Sequence, residues 1–218
     1  MNFVKDCKGN ARMNRHFKAS AMPFMAAAMA MSLSACVSLG SKPPPFLLTL
    51  DATSQHTSGE ARSAGEAAAL TILIPTAPQK LRTPRIPVQQ DAGSVAYVAD
   101  AQWVEAPQRL FQRLLTNTVA ARTNRVVLDE GQYLTAPGEQ LAGELLEFGV
   151  DSRTNEAIVV YQAMLVNNAG KTVIQRRFEQ REPLSGKIAA RNSGLALQNA
   201  ANRMAVEVAD WLGSNPKA

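Results

Sequence analysis

The apolar positions of the 218-residue chain change period several times, and each change marks an element. Residues 19–33 form an uncharged apolar run rich in alanine and methionine. It is too short, and too closely followed by polar sequence, for a stable transmembrane helix. Phe46-Leu47-Leu48-Thr49-Leu50 reads as a first strand. Leu70-Thr71-Ile72-Leu73-Ile74 is rich in β-formers and stops at Pro75, as a central strand ending in a turn does. Residues 76–87 carry three prolines and read as a loop, with residues 86–90 as a short edge strand. Residues 94–98 are a further strand, with Gln102-Trp103-Val104 close behind. Pro107 suits the first turn of a helix, where its missing N–H costs nothing. Leu110, Phe111, Leu114, Leu115 and Val119 then recur at helical spacing, which predicts a helix over about 106–122. Residues 125–128 form the next strand, and the order strand, helix, strand suggests a crossover packed on a sheet.

The second half repeats the theme. Residues 140–150 read as a long strand with Gly143 and Gly149 as candidate bulges. Residues 157–166 and 172–181 flank Asn167-Asn168-Ala169-Gly170, whose Asn and Gly can take positive φ, a hairpin signal. Pro183 and Gly186 end the hairpin. A long helix is predicted over about 187–212, with Leu197, Ala201, Met204, Val208 and Trp211 on one face and Gly213 and Pro216 marking its end. Residues 51–69 have almost no side chain large enough to bury and read as a disordered, low-complexity insertion. The expected architecture is one α/β (α+β) domain over 46–213. It has a mixed, mostly antiparallel sheet with the two main helices packed on it.

The N-terminus carries targeting information. Lys5, Lys8, Arg12, Arg15 and Lys18 form a basic region ahead of the apolar run, the layout of a secretory signal. Leu33-Ser34-Ala35-Cys36 completes it as a lipobox: Ser34 and Ala35 are the small residues before the cut, and Leu33 is the branched apolar residue before them. Residues 1–35 are thus expected to leave as a signal peptide. Cys36 is expected to carry a diacylglycerol and an N-acyl chain. Each buried methylene contributes about 0.8 kcal/mol, so one chain holds marginally and several hold firmly. Residues 36–45, with Gly40, Ser41 and Pro43-Pro44-Pro45, read as a lipidated tether, flexible first and stiff at its end. Val37, where an Asp would tend to retain a lipoprotein in the inner membrane of enteric bacteria, leans the expectation towards the outer membrane.

Removing the signal changes the charge. Of 23 Lys and Arg and 18 Asp and Glu, five and one precede Cys36, leaving 18 and 17. The net charge of +5 is therefore mostly a targeting feature and gives no case for nucleic-acid binding. Cys7 leaves with the signal and Cys36 is lipidated, so no disulfide and no thiol nucleophile are expected.

The remaining motifs are weak. His56 sits in the polar, low-complexity insertion, where nothing packs it in place, whereas a catalytic base must be held in position. Gly170-Lys171-Thr172 looks like the end of a Walker A loop, but Leu165 stands where glycine is needed and a strand follows. Gly-x-Ser-x-Gly, His-Glu-x-x-His and metal-binding His/Cys clusters are missing, so no metal is expected. The acidic pairs are Asp129 with Glu130 and Glu144 with Glu147. The odd spacing of Glu144 and Glu147 puts them on opposite strand faces unless a bulge intervenes. Arg176, Arg177 and Arg181 form a basic cluster on the hairpin, either a charged solvent face or a site for lipid head groups or an acidic partner. Trp103 and Trp211 read as core rather than interface anchors.

In order, Pro43-Pro44-Pro45-Phe46-Leu47-Leu48-Thr49-Leu50, Arg85-Ile86-Pro87-Val88, Trp103-Val104-Glu105-Ala106-Pro107 and Arg177-Phe178-Glu179-Gln180-Arg181-Glu182-Pro183 resemble the ABC-type transport auxiliary lipoproteins. The likeness covers nearly all of the mature chain except residues 51–69. It departs at Leu48, where that family usually has tyrosine. The resemblance implies an α/β domain, no enzymatic activity, and no cofactor beyond the acyl groups on Cys36. It implies a non-catalytic auxiliary role in lipid transport across the periplasm. The implied partners are an MCE (mammalian-cell-entry) domain protein with its permease and ATPase, together with membrane lipid. Ring-forming self-association is compatible with it. Two other readings stay open from the residues: a structural envelope-assembly lipoprotein, and a periplasmic lipid- or solute-binding module, which would need a closed apolar cavity.

Overall fold

Strand β5 (Glu139–Asp151) is the axis of the sheet. The computed structural model describes residues 44–54, 69–123, 125–128, 131, 138–167 and 173–214, all within one compact unit spanning 43–218. Strand β6 (Glu156–Val166) runs antiparallel along one whole edge of β5, and β7 (Val173–Pro183) runs antiparallel to β6. Two short parallel strands share the other edge of β5. Strand β1 (Leu70–Ile72) pairs with its first residues and β2 (Arg85–Gln89) with Val150 and Asp151. Strand β3 (Val95–Gln102) lies antiparallel outside β2, and β4 (Val127–Leu128) lies parallel outside β1. The result is a seven-stranded mixed sheet whose long pairings are antiparallel.

Both helices cover one face. Helix α1 (Pro107–Thr123) begins with proline at its first position and buries Leu110, Phe111, Leu114, Leu115 and Val119. Helix α2 (Ala190–Ser214) buries Leu197, Met204, Val208 and Trp211 with an alanine-rich stripe that lets it lie close on the sheet. The β6 side chains beneath them, Ala157, Val159, Tyr161, Ala163 and Leu165, are all buried. Edge-on aromatic pairs lock the layers: Phe111 on Tyr161 at 5.2 Å, Phe178 on Trp211 at 5.6 Å, and Trp103 on Phe148 at 5.6 Å. Both tryptophans are core, as their surroundings in the sequence suggest.

Several expectations need correction. The stretch Phe46 to Leu50 is not a strand: it makes one bridge, Leu48 to Trp103, on the outer edge of β3. Leu48 N–H donates to Gln102 O at 2.8 Å and Val104 N–H donates to Leu48 O at 2.9 Å. The low-complexity insertion does not start at Asp51, because Ala52 is buried and Thr53 is bonded to Asn202; residues 55–68 lie outside the described residues. The residues 86–90 are not an edge. Strand β2 is paired on both sides, and it tolerates Pro87 because Gly149 on β5 lies against it. A Cβ at Gly149 would stand 2.5 Å from Pro87 O. Gly143 and Gly149 are therefore close-approach glycines, and the β5 irregularity falls instead between Leu145 and Glu147. The last helix starts at Ala190, three residues later than expected. Gly186 takes φ 104° and residues 185–188 bend before the first helical hydrogen bond, Ser193 N–H to Ala189 O at 2.9 Å.

Candidate functional site

Leu33, Ser34, Ala35 and Cys36 lie outside the described residues, as do His56, Asp129, Glu130 and Gly170-Lys171-Thr172. Strand β7 does begin directly after Thr172, so a strand follows that motif.

The irregularity in β5 decides how the carboxylates lie. Glu144 is opposite Gln162 and Glu147 is opposite Val160, with Leu145 opposite Tyr161. Residues 160 and 162 share a face of β6, so Glu144 and Glu147 share a face too. This overturns their expected separation: the extra residue, Leu146, resets the alternation. Both point to the face that the helices leave uncovered.

On that face is an open cleft of about 410 Å³. Its floor includes Val160, Ile158 and Gly149; its walls carry Lys80, Glu147, Asp151, Arg153, Arg177, Glu179 and Arg181. Lys80 reaches it from the 3-10 turn Gln79–Leu81, held by buried Leu81, and its Nζ is 2.6 Å from Glu147 Oε2. Asp151 ends β5 and forms a turn with the residues after it. Its carboxylate accepts from Arg153 Nη2 at 2.7 Å, Arg153 Nε at 3.1 Å and the Arg153 N–H at 2.9 Å. The bonds from the Arg153 side chain hold the Asp151 carboxyl at about 2. Asp91, in the β2–β3 turn, is lowered by the Ser94 hydroxyl and by the backbone N–H groups of Gly93 and Ser94.

The arginine cluster of the hairpin is not one cluster. Alternation along β7 sends Arg176 to the helical side, where it meets Glu207 at 3.2 Å, and Arg177 and Arg181 to the cleft side. Arg181 is engaged by Glu179 at 2.8 Å and Glu156 at 3.4 Å. Arg177 makes no ion pair among the described residues.

Acid–base catalysis calls for a group titrating near the working pH. The best-held carboxylate here, Asp151, is pinned far below it, and Glu147 and Glu179 face cations. The arrangement suits recognition of a polar or charged surface. No group of three or more metal-ligating side chains occurs among the described residues, and no helix among them is long and apolar enough to cross a membrane. Lys80, Asp151 and Arg153 escaped the sequence reading. The signal for Asp151 was there: an Asp closing a strand ahead of Ser-Arg-Thr-Asn bonds its own turn.

A family model described as ABC-type transport auxiliary lipoprotein component matches residues 48–209. No curated protein matches the chain in sequence. Among solved structures, an uncharacterized protein superposes with a TM-score of 0.60 at 10% identity, covering 75% of this chain and 95% of its own. A Xanthomonas campestris protein, assigned to a family of unknown function, superposes with a TM-score of 0.56 at 17% identity, covering 78% of this chain and 93% of its own. At such identities the likeness establishes the fold.

Proposed function

Because the chain belongs to the ABC-type transport auxiliary lipoprotein family, we propose that it is the lipid-anchored, non-catalytic partner of an MCE-domain protein in an ABC-type lipid transport system. The family makes it a lipoprotein component of ABC-type transport, anchored in a membrane and facing the periplasm. In the finer reading Cys36 is the anchor, acylated after cleavage behind Leu33-Ser34-Ala35. With Val37 in place of an inner-membrane-retaining Asp, the anchor lies in the outer membrane. ATP hydrolysis belongs to a separate ATPase subunit, and this chain supplies a periplasmic surface between transporter and membrane.

The observation that carries the reading is the extent of the family match. Residues 48–209 run from the Leu48 bridge into the last turns of α2, so the whole sheet, helix α1 and all but the last five residues of α2 fall within it. The test is co-purification. With a C-terminal tag and Cys36 retained, membranes are extracted in mild detergent, lightly cross-linked, and the captured proteins identified by mass spectrometry. Recovery of an MCE-domain protein with its permease and ATPase is expected. Recovery of only cell-wall or outer-membrane assembly proteins would replace the transport reading with a structural one. The mass of the Cys36 peptide tests the anchor separately.

A further inference from the structure

Four of the large apolar side chains that the fold leaves exposed lie on segments that meet at one edge of the domain. Phe46 is 38% exposed, Leu47 52%, Val104 42% and Leu195 57%. The contacts that gather them are specific. The Arg191 guanidinium lies over the Phe46 ring at 5.6 Å. Leu195 is one turn further along α2 from Arg191, on the same face. Leu48 packs against Gly194, where a Cβ would meet its side chain at 2.7 Å. Val104 is tied to Leu48 through its N–H. Two exposed cations lie at the start of α2, next to the segment that carries Leu195. Lys187 precedes the helix, and Arg191 sits in its first turn; neither has an acidic partner among the described residues.

We propose that Phe46, Leu47, Val104 and Leu195, with Lys187 and Arg191, seat the domain on an anionic lipid bilayer beside its own anchor. Clustered apolar side chains rimmed by unpaired cations are the chemistry of a membrane-surface contact. Chain length favours the bilayer over any other occupant. Phe46 is ten residues beyond Cys36. A fully extended chain spans at most about 3.6 Å per residue, so Phe46 stays within about 36 Å of the acylated residue. A surface held so close to a bilayer meets lipid at high effective concentration. The contact fixes which side of the domain faces the membrane, which an anchor on a tether alone does not. The inference rests on acylation of Cys36, and the test separates the two.

The full-length chain is matured in cells as the Leu195→Cys variant. With Cys7 removed and Cys36 acylated, the new thiol is the only free one and takes a nitroxide spin label. A Gly213→Cys variant is the control: a Cβ there meets nothing within 4 Å, and it lies about 27 Å along α2 from Leu195 at about 1.5 Å per residue. Both are reconstituted into phosphatidylethanolamine–phosphatidylglycerol vesicles. Collision rates with oxygen and with an aqueous nickel chelate are compared with those in detergent. The expected result is a severalfold rise in the oxygen-to-nickel ratio at position 195 in vesicles, none at 213, and loss of the rise when Lys187→Glu and Arg191→Glu are added. An unchanged ratio at 195, with the acyl mass present on Cys36, overturns the proposal. A fall in both collision rates at 195 also overturns it, by pointing to a second copy or a protein partner. If the acyl mass is absent the anchor reading fails, and the seating of the patch, which rests on that anchor, is overturned with it.

Discussion

The Asn202 carboxamide oxygen on α2 accepts both the N–H of Thr53 at 2.8 Å and its hydroxyl at 3.1 Å. The Nδ2 of the same side chain donates to Asp51 O at 2.9 Å and to Gln198 O at 3.0 Å. All four hydrogen-bonding capacities of one buried amide are thus used. Asn202 thereby fastens the segment that follows Leu48 to the C-terminal helix. Asn202→Leu would leave the Thr53 N–H and the Asp51 carbonyl without this partner. It is expected to lower stability by about 1–3 kcal/mol in chemical denaturation. Hydrogen exchange at residues 48–54 should rise with it. Asn202→Asp keeps an acceptor for Thr53 but loses the donor to Asp51, so it should fall in between.

Gly143 and Tyr161 make a second interlocked pair. The Tyr161 ring lies across Gly143 and its hydroxyl donates to Ala142 O at 2.9 Å. Burial pushes that hydroxyl's pKa well above the ordinary 10.0. A Cβ at Gly143 would stand 2.3 Å from Gln162 O and 2.7 Å from the tyrosine. Gly143→Ala should therefore cost about 1–3 kcal/mol through overpacking. Tyr161→Phe removes only the hydrogen bond and should cost about 1 kcal/mol. If thermal unfolding shows Gly143→Ala as stable as the parent, the close approach is not what glycine serves there.

The long elements were legible because each repeats one period for many residues. Leu110 to Val119 and Leu197 to Trp211 keep helical spacing and pack as that spacing requires. Elements set by a single partner were not legible. Nothing local distinguishes Phe46 to Leu50 from a strand; the structure offers it only the end of β3. Residues 86–90 look like an edge because they contain proline, and only Gly149, more than 60 positions away, makes an internal place for Pro87. The joint placement of Glu144 and Glu147 depends on one bulged residue, which leaves no mark in composition. The cleft draws on the loop before β2 and on β5, β6 and β7, so no window of sequence contains it.

Two ion pairs of similar length should respond very differently to neutralisation. Arg125 and Glu139 meet at 2.7 Å across β1 with side chains only 17% and 7% exposed. Lys80 and Glu147 meet at 2.6 Å with side chains 24% and 43% exposed. Breaking a buried pair strands the remaining charge and costs about 3–5 kcal/mol. A solvent-exposed pair contributes about 0–1 kcal/mol. Glu139→Ala should therefore lower the denaturation midpoint strongly and Glu147→Ala weakly. Comparable losses from the two would mean that burial does not set the strength of these pairs.

Asp151 gives the fold a defined acid sensitivity. Its carboxyl is lowered from 3.8 to about 2, chiefly by hydrogen bonds from the Arg153 side chain, with smaller help from the Arg153 backbone N–H. A depressed folded pKa means that the unfolded state binds the proton more readily. The stabilisation is therefore complete above about pH 4, declines as pH falls below that, and is gone once pH passes below about 2. Asp151→Asn removes the titrating group and also weakens the grip on Arg153. At pH 7 it should be less stable than the parent, and between pH 4 and pH 2 the difference should shrink. Urea denaturation of both proteins across that range checks the sign. A gap that stays constant down to pH 2 would show that the Asp151 carboxylate is not held in its charged form by Arg153.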